Sequence, residues 1–254
     1  MQTAGYDFAC ATSPIAGGIF DAYHKVGVYS LLACSGAGRA SNAFAYISPS
    51  FGGLTLAYNH GRLSEAAAPG IAAPYTGTSG ATAAKFSDGY ANLFAATYEM
   101  GPVGVRGIYS KITAKDLLPG NIKEWGLTGS YDLGVAKLYA SYQTRKDDAS
   151  GDKDKKWGIA AGIPVGPTGS VAIQYAKSSM DSDVNIGTAA LPNWKSADST
   201  SWSIAYIHGL SKRTDVYAGY NRVTNDDGVK RASITVPTPG DTASAFGFGL
   251  RHRF

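Results

Sequence analysis

The 254-residue sequence is short of charge: Asp, Glu, Lys and Arg supply 17% of it, and the formal net charge is +4. The basic residues are scattered, whereas a nucleic-acid surface concentrates them, so no nucleic-acid partner is expected. Long apolar runs are missing as well. Apolar residues reach 44%, yet no unbroken run approaches the ~18 residues of a membrane helix, which excludes a helical span. Cysteine stops at two, Cys10 and Cys34. Two thiols cannot make a disulfide framework and their spacing fits no zinc pattern, so they read as incidental. The opening "MQTAGYDFACATSPIAGG" has no basic stretch and no long apolar stretch, unlike a signal peptide.

Catalytic signatures are also lacking. No G-x-S-x-G elbow, H-E-x-x-H pair or phosphate-binding loop occurs, and His24, His60, His208 and His252 are far apart. The expectation is a non-enzyme with no cofactor and no metal. The run "RKDDASGDKDKK" (145–156) lacks the spacing and closing Glu of a calcium loop, and reads as a solvated outer loop.

What the chain has in abundance is Gly (32), Tyr (16) and a period of two. Eleven segments alternate apolar with small or polar residues: 42–48, 53–60, 88–100, 103–112, 122–133, 135–145, 156–165, 169–178, 200–209, 214–224 and 242–254. In 135–145, Leu138, Ala140 and Tyr142 oppose Lys137, Tyr139, Ser141, Gln143 and Arg145. The final segment sets Phe246, Phe248, Leu250 and Phe254 against Ala245, Gly247, Gly249, Arg251 and Arg253. Side chains at this spacing point to opposite faces of a strand. The polar faces carry too many amides and charges for a sandwich core and suit a wet interior.

The links between segments alternate short and long along the whole chain, as the two rims of a membrane barrel require. Trp125, Tyr131, Tyr142, Trp157, Trp202, Tyr206, Tyr220 and Phe254 gather near segment ends, where interfacial girdles lie. The pattern predicts an all-β protein, an antiparallel transmembrane β-barrel, with residues 1–41 irregular and 42–254 forming the strands. Eleven is odd, while a complete bacterial barrel has an even number of strands with both ends on one side. An incomplete barrel, or a true start upstream, is therefore expected.

Three stretches resemble the Gram-negative general porins of the β-proteobacterial type. "RASNAFAYISPSFGGLTLAYNHG" (39–61) is similar to that family's strands paired by an SPxFGG turn. "LSKRTDVYAGYNRV" (210–223) resembles its penultimate turn and strand, and "FGFGLRHRF" (246–254) its last strand. The resemblance implies a sixteen-stranded outer-membrane barrel of which the first five strands precede this chain. It also implies a homotrimer, passive diffusion of small hydrophilic solutes, and contact with outer-membrane lipid and lipopolysaccharide. Phe254 would be the C-terminal signal read by the barrel-assembly machinery. Residues 12–38 look like the end of the inward-folding constriction loop, with Asp21 its one acid.

The pore-lining candidates are Asp21, Arg106, Lys137, Arg145, Arg251 and Arg253, because charge on a pore wall biases which ions enter. Their inward surplus of positive charge predicts a weak anion preference. A rival reading makes the barrel a surface interaction protein, binding a partner through loops 61–87, 179–199 and 225–241.

Overall fold

The structure, a computed structural model, describes residues 8–26, 42–62, 89–114, 121–148, 151, 153–181, 198–225 and 240–252. Eleven strands follow one another: β1 (Asn42–Ile47), β2 (Leu54–Arg62), β3 (Gly89–Met100), β4 (Val103–Ala114), β5 (Asn121–Asp132) and β6 (Lys137–Asp147). They continue as β7 (Lys153–Val165), β8 (Gly169–Asp181), β9 (Ser199–Ser211), β10 (Thr214–Asn225) and β11 (Thr242–His252). Each pairs antiparallel with its neighbour in chain order, giving one sheet in the order β1 to β11. β1 and β11 are its two edges, and the barrel is not closed.

Alternation sets the faces. Leu138, Ile159, Ile173, Trp202 and Ile204 stand exposed on the outer side, while Ser141, Gln143, Ala160, Gln174 and Ser203 are buried on the inner one. On β11, Phe248 is 80% exposed, and Phe246 and Leu250 share its side. An apolar face this continuous would aggregate in water; against hydrocarbon it costs nothing. The inner face is not polar throughout. Ala91, Leu93, Ile108, Ile112 and Ile122 make an inward apolar patch, which is why the period of 103–112 is hard to read from sequence.

The short links are 48–53, 101–102, 133–136, 166–168 and 212–213. Gly101 (φ 56°) and Gly166 (φ 66°) supply the left-handed conformation that such tight turns need. The sorting of links by rim is not strict: the link 115–120 is no longer than 48–53 on the opposite rim. β6 and β7 run on into the charged segment, so the link 148–152 is shorter than 48–53 on the opposite rim. The stretch 145–156 is therefore mostly strand rather than solvated loop. Asp154 and Lys156 are buried on the inner wall because the period of two continues through the charges.

Candidate functional site

The inner wall carries a seated segment. Residues 8–26 contain a short 3-10 helix (Ala9–Ala11) and one helical turn, α1 (Ala22–Lys25), which rests against β7 to β10. Asp21 starts that turn. Its carboxylate accepts from the backbone N–H of Tyr23 (3.1 Å) and His24 (3.3 Å), satisfying donors a helix start leaves open, and from Gly17 N–H at 2.7 Å. Two glutamines of the wall hold the turn in place: Ala22 N–H donates to Gln174 Oε1 (2.8 Å), and the Tyr23 hydroxyl donates to Gln143 Oε1 (3.2 Å). Lys156 Nζ lies 4.8 Å from the centre of the Tyr23 ring, within cation–π range.

Glycines on the wall make the room. A methyl group at Gly126 would lie 2.5 Å from Phe8 Cζ, one at Gly158 2.9 Å from Tyr23 Cδ2, and one at Gly219 2.7 Å from Phe20 Cδ2. Three aromatic rings thus lock into three gaps in the sheet's inner surface. Phe8, Tyr23 and Val26 join the inward apolar patch, and Phe20 packs edge-on to Tyr217 (6.4 Å).

Burial shifts the charges of this segment. It pushes the Asp21 carboxyl above its usual value, opposed by the Gly17 N–H, the Gln174 amide, the His24 N–H and the Lys156 ammonium. The Tyr23 phenol is driven well up by burial, with the negative charges of Asp21 and Asp154 adding to it. Lys25 is lowered by burial, and the Asp21 charge offsets part of this. Asp21 is fully buried, so it acts on this segment's conformation rather than as an open counter-charge.

Among the described residues, Arg106, Lys137, Arg145 and Arg251 sit on the inner side, and most face acids. Arg145, buried, lies 3.6 Å from Glu124 and 3.7 Å from Asp147. Arg251 contacts Asp215 Oδ2 through Nε and Nη2, each at 2.6 Å. Lys137 is registered opposite Asp132, at the short-turn rim, with Nζ 5.6 Å from the Tyr139 ring centre. Arg106 Nε donates to Thr97 Oγ1 (3.2 Å). Among the described residues of the wall, acids stand beside the bases. Glu99, Glu124, Asp132, Asp147, Asp154 and Asp215 share the wall with Arg106, Lys137, Arg145, Lys156 and Arg251. Arg253 and Phe254 lie outside the described residues.

Glu124, Asp154, Lys156 and Tyr23 belong to this site and are missing from the sequence-based set. Glu124 and Lys156 fall within the expected strands 122–133 and 156–165, where the period of two already turns them inward; continuing that period upstream reaches Asp154, and nothing local marks Tyr23. Cys10 is a further correction. It is disulfide-bonded rather than an incidental thiol. The other cysteine, Cys34, lies outside the described residues.

An antiparallel sheet with a lipid-suited outside, a charged inside and a chain segment folded against that inside is a wall of a porin-type β-barrel. The comparisons agree. Residues 1–228 match the Gram-negative porin family, and the chain belongs to it. It is 29% identical over 231 residues to outer membrane porin protein 32 of Delftia acidovorans, covering 85% of this chain and 57% of that protein. The solved anion-selective porin from Comamonas acidovorans superposes with a TM-score of 0.62 at 24% identity, covering 85% of this chain and 60% of that one. OmpT of Vibrio cholerae superposes with a TM-score of 0.56 at 13% identity, covering 83% and 64%. The chain thus spans somewhat more than half the length of these relatives. Family membership places it in the bacterial outer membrane.

Proposed function

We propose that the protein forms part of a diffusion pore for ions and small hydrophilic solutes, with no chemical reaction and no cofactor. The observation that carries this is the inner wall itself. Charged and amide side chains on β5 to β10 face away from lipid, and a structured segment, 8–26, occupies that same side. A hydrated solute passing such a wall avoids the cost of entering hydrocarbon, and the seated segment sets the width. We read 8–26 as the ordered part of a constriction element, and the strands as the wall that holds it.

A weak preference for anions fits the anion-selective relative from Comamonas acidovorans. It is weak because Arg145 and Arg251 each contact an acid, which damps the field either projects into the pore. The trimer form in which OmpT of Vibrio cholerae is solved, at 12% identity, supports a homotrimer for the whole protein. Outer-membrane lipid, lipopolysaccharide and the barrel-assembly machinery complete the proposed partners. Planar-bilayer recording of this chain joined to the remaining strands of its barrel tests the pore: stepwise openings, with a small reversal potential favouring anions in a salt gradient, are expected. A protein that inserts and never conducts would refute it. The rival loops fall largely outside the described residues, and no described feature favours that reading.

A further inference from the structure

Two glycines leave the inner face of β11 bare, and side chains from elsewhere fill the place. Gly247, Gly249 and Arg251 follow one another on that face, about 7 Å apart, from mid-strand towards the short-turn rim. A methyl group at Gly247 would lie 3.3 Å from Phe20 Cζ and 3.5 Å from Ile19 Cδ1. One at Gly249 would lie 2.5 Å from the Tyr217 hydroxyl oxygen. An isoleucine, a phenol hydroxyl and a guanidinium therefore stand in file along one strand.

The file is open to the wet side of the wall. Ile19 is 52% exposed, although Phe20 beside it is buried with Ile15, Ala172 and Ala205, against which Ile207 and Tyr217 pack. Among the described residues the Tyr217 hydroxyl has no hydrogen-bond partner. Arg251 is 54% exposed; its Nε and Nη2 meet Asp215 Oδ2, which leaves both N–H donors of Nη1 for another acceptor. The seated segment adds no repelling charge here. It exposes Pro14, Gly17, Gly18 and Ile19, while Asp21, the only acid of residues 8–26, is buried.

These chemistries fit one kind of molecule. Guanidinium and hydroxyl donors suit a carboxylate, and a half-exposed isoleucine gains by being covered with hydrocarbon. Asp215 cancels the formal charge of Arg251, so charge alone holds an anion weakly and the apolar end decides. Four residues of extended strand, about 13 Å, separate Gly247 from Arg251, too far for acetate to bridge.

We propose that this file is a binding position for monocarboxylates with an apolar tail, the carboxylate on Arg251 and Tyr217 and the tail on Ile19. The inference rests on the pore reading and adds to it a saturable stop for one class of solute.

The test uses the whole barrel, this chain joined to its remaining strands, in phosphatidylcholine nanodiscs. Saturation-transfer NMR titrates hexanoate, acetate and hexanamide, with empty nanodiscs subtracting uptake by lipid. Hexanoate should saturate the protein at about a tenth of the acetate concentration or less, because its longer tail covers Ile19. Hexanamide, which lacks the charge, should bind about tenfold more weakly than hexanoate. Arg251→Gln should weaken hexanoate about tenfold, and Ile19→Ser should bring it within about twofold of acetate. Lys123→Gln, on the outer face, should leave every value within about twofold. If Arg251→Gln does not fold, Ile19→Ser and Tyr217→Phe carry the test, the latter weakening hexanoate about threefold. Equal binding of hexanoate and acetate, equal binding of hexanoate and hexanamide, or no loss in Ile19→Ser overturns the proposal. Conductance is read separately in planar bilayers. Saturable hexanoate binding without conductance refutes the pore and leaves the position standing; stepwise conductance with hexanoate no tighter than acetate does the reverse.

Discussion

Arginine at two adjacent positions, Ile173 and Gln174, should damage different things. Ile173 is 46% exposed on the outer face and is the fifth residue of the thirteen-residue strand β8. A transmembrane strand needs about 9–11 residues, so this position lies well inside the hydrocarbon. Arginine there costs about 2–4 kcal/mol near the mid-plane. At roughly 1.4 kcal/mol per factor of ten, inserted protein falls by about 30- to 700-fold. Gln174 points the other way, 2% exposed, with Oε1 accepting from Ala22 N–H at 2.8 Å. Arginine has no acceptor to offer, so a hydrogen bond worth about 0.5–1.5 kcal/mol is lost, and the Ala22 donor is left open at about 1–3 kcal/mol. The sheet should still insert while residues 8–26 lift from the wall. This changes what simple alternation predicts, because an inward position beneath the seated segment is covered rather than wet. Folded yield in phosphatidylcholine vesicles reads the first effect, and protease cleavage after Lys25 the second. Equal folded yields for Ile173→Arg and Gln174→Arg, or an intact seated segment in Gln174→Arg, would refute the facing assigned here.

Gly126→Leu or Gly219→Leu should unseat Phe8 or Phe20, at a cost of about 1–3 kcal/mol for overpacking. Single-channel conductance should rise, and an unchanged conductance would contradict the seating. Because burial raises the Asp21 carboxyl, its contribution to holding α1 is full below the usual value of 3.8 and is lost as pH rises through the raised value. Amide-exchange protection of Tyr23 and His24 should fall across that window in the parent and stay flat in Asp21→Asn, which keeps a capping oxygen; identical profiles in the two proteins would count against it. Arg251→Gln breaks a contact whose arginine is 54% exposed, so the denaturation midpoint should reflect less than about 1 kcal/mol. A larger loss would mean the pair is shielded from water. In a salt gradient the reversal potential should be small and on the anion side, and a cation-side value would remove the anion preference.

All eleven strands, their order and the outward placing of Phe246, Phe248 and Leu250 were legible in the sequence. A strand's facing is a local property: a period of two and a Gly- or Pro-marked turn fix it without reference to anything distant. The inward placing of Lys137, Arg145 and Arg251 came from the same rule, whereas the ambiguous period of 103–112 did not fix that of Arg106. Tertiary structure alone decided what those side chains meet. Glu124 and Arg145 are 21 positions apart in the chain, yet register makes them neighbours. The rule also fails where strands overrun their apparent ends, as at Asp154, because pairing with a partner strand rather than composition determines where a strand stops. Least visible was the seat of residues 8–26. Tyr23, Gln143, Gln174 and Gly158 meet across more than a hundred residues of chain, and no spacing in a one-dimensional sequence records a ring filling the space that a distant glycine leaves open.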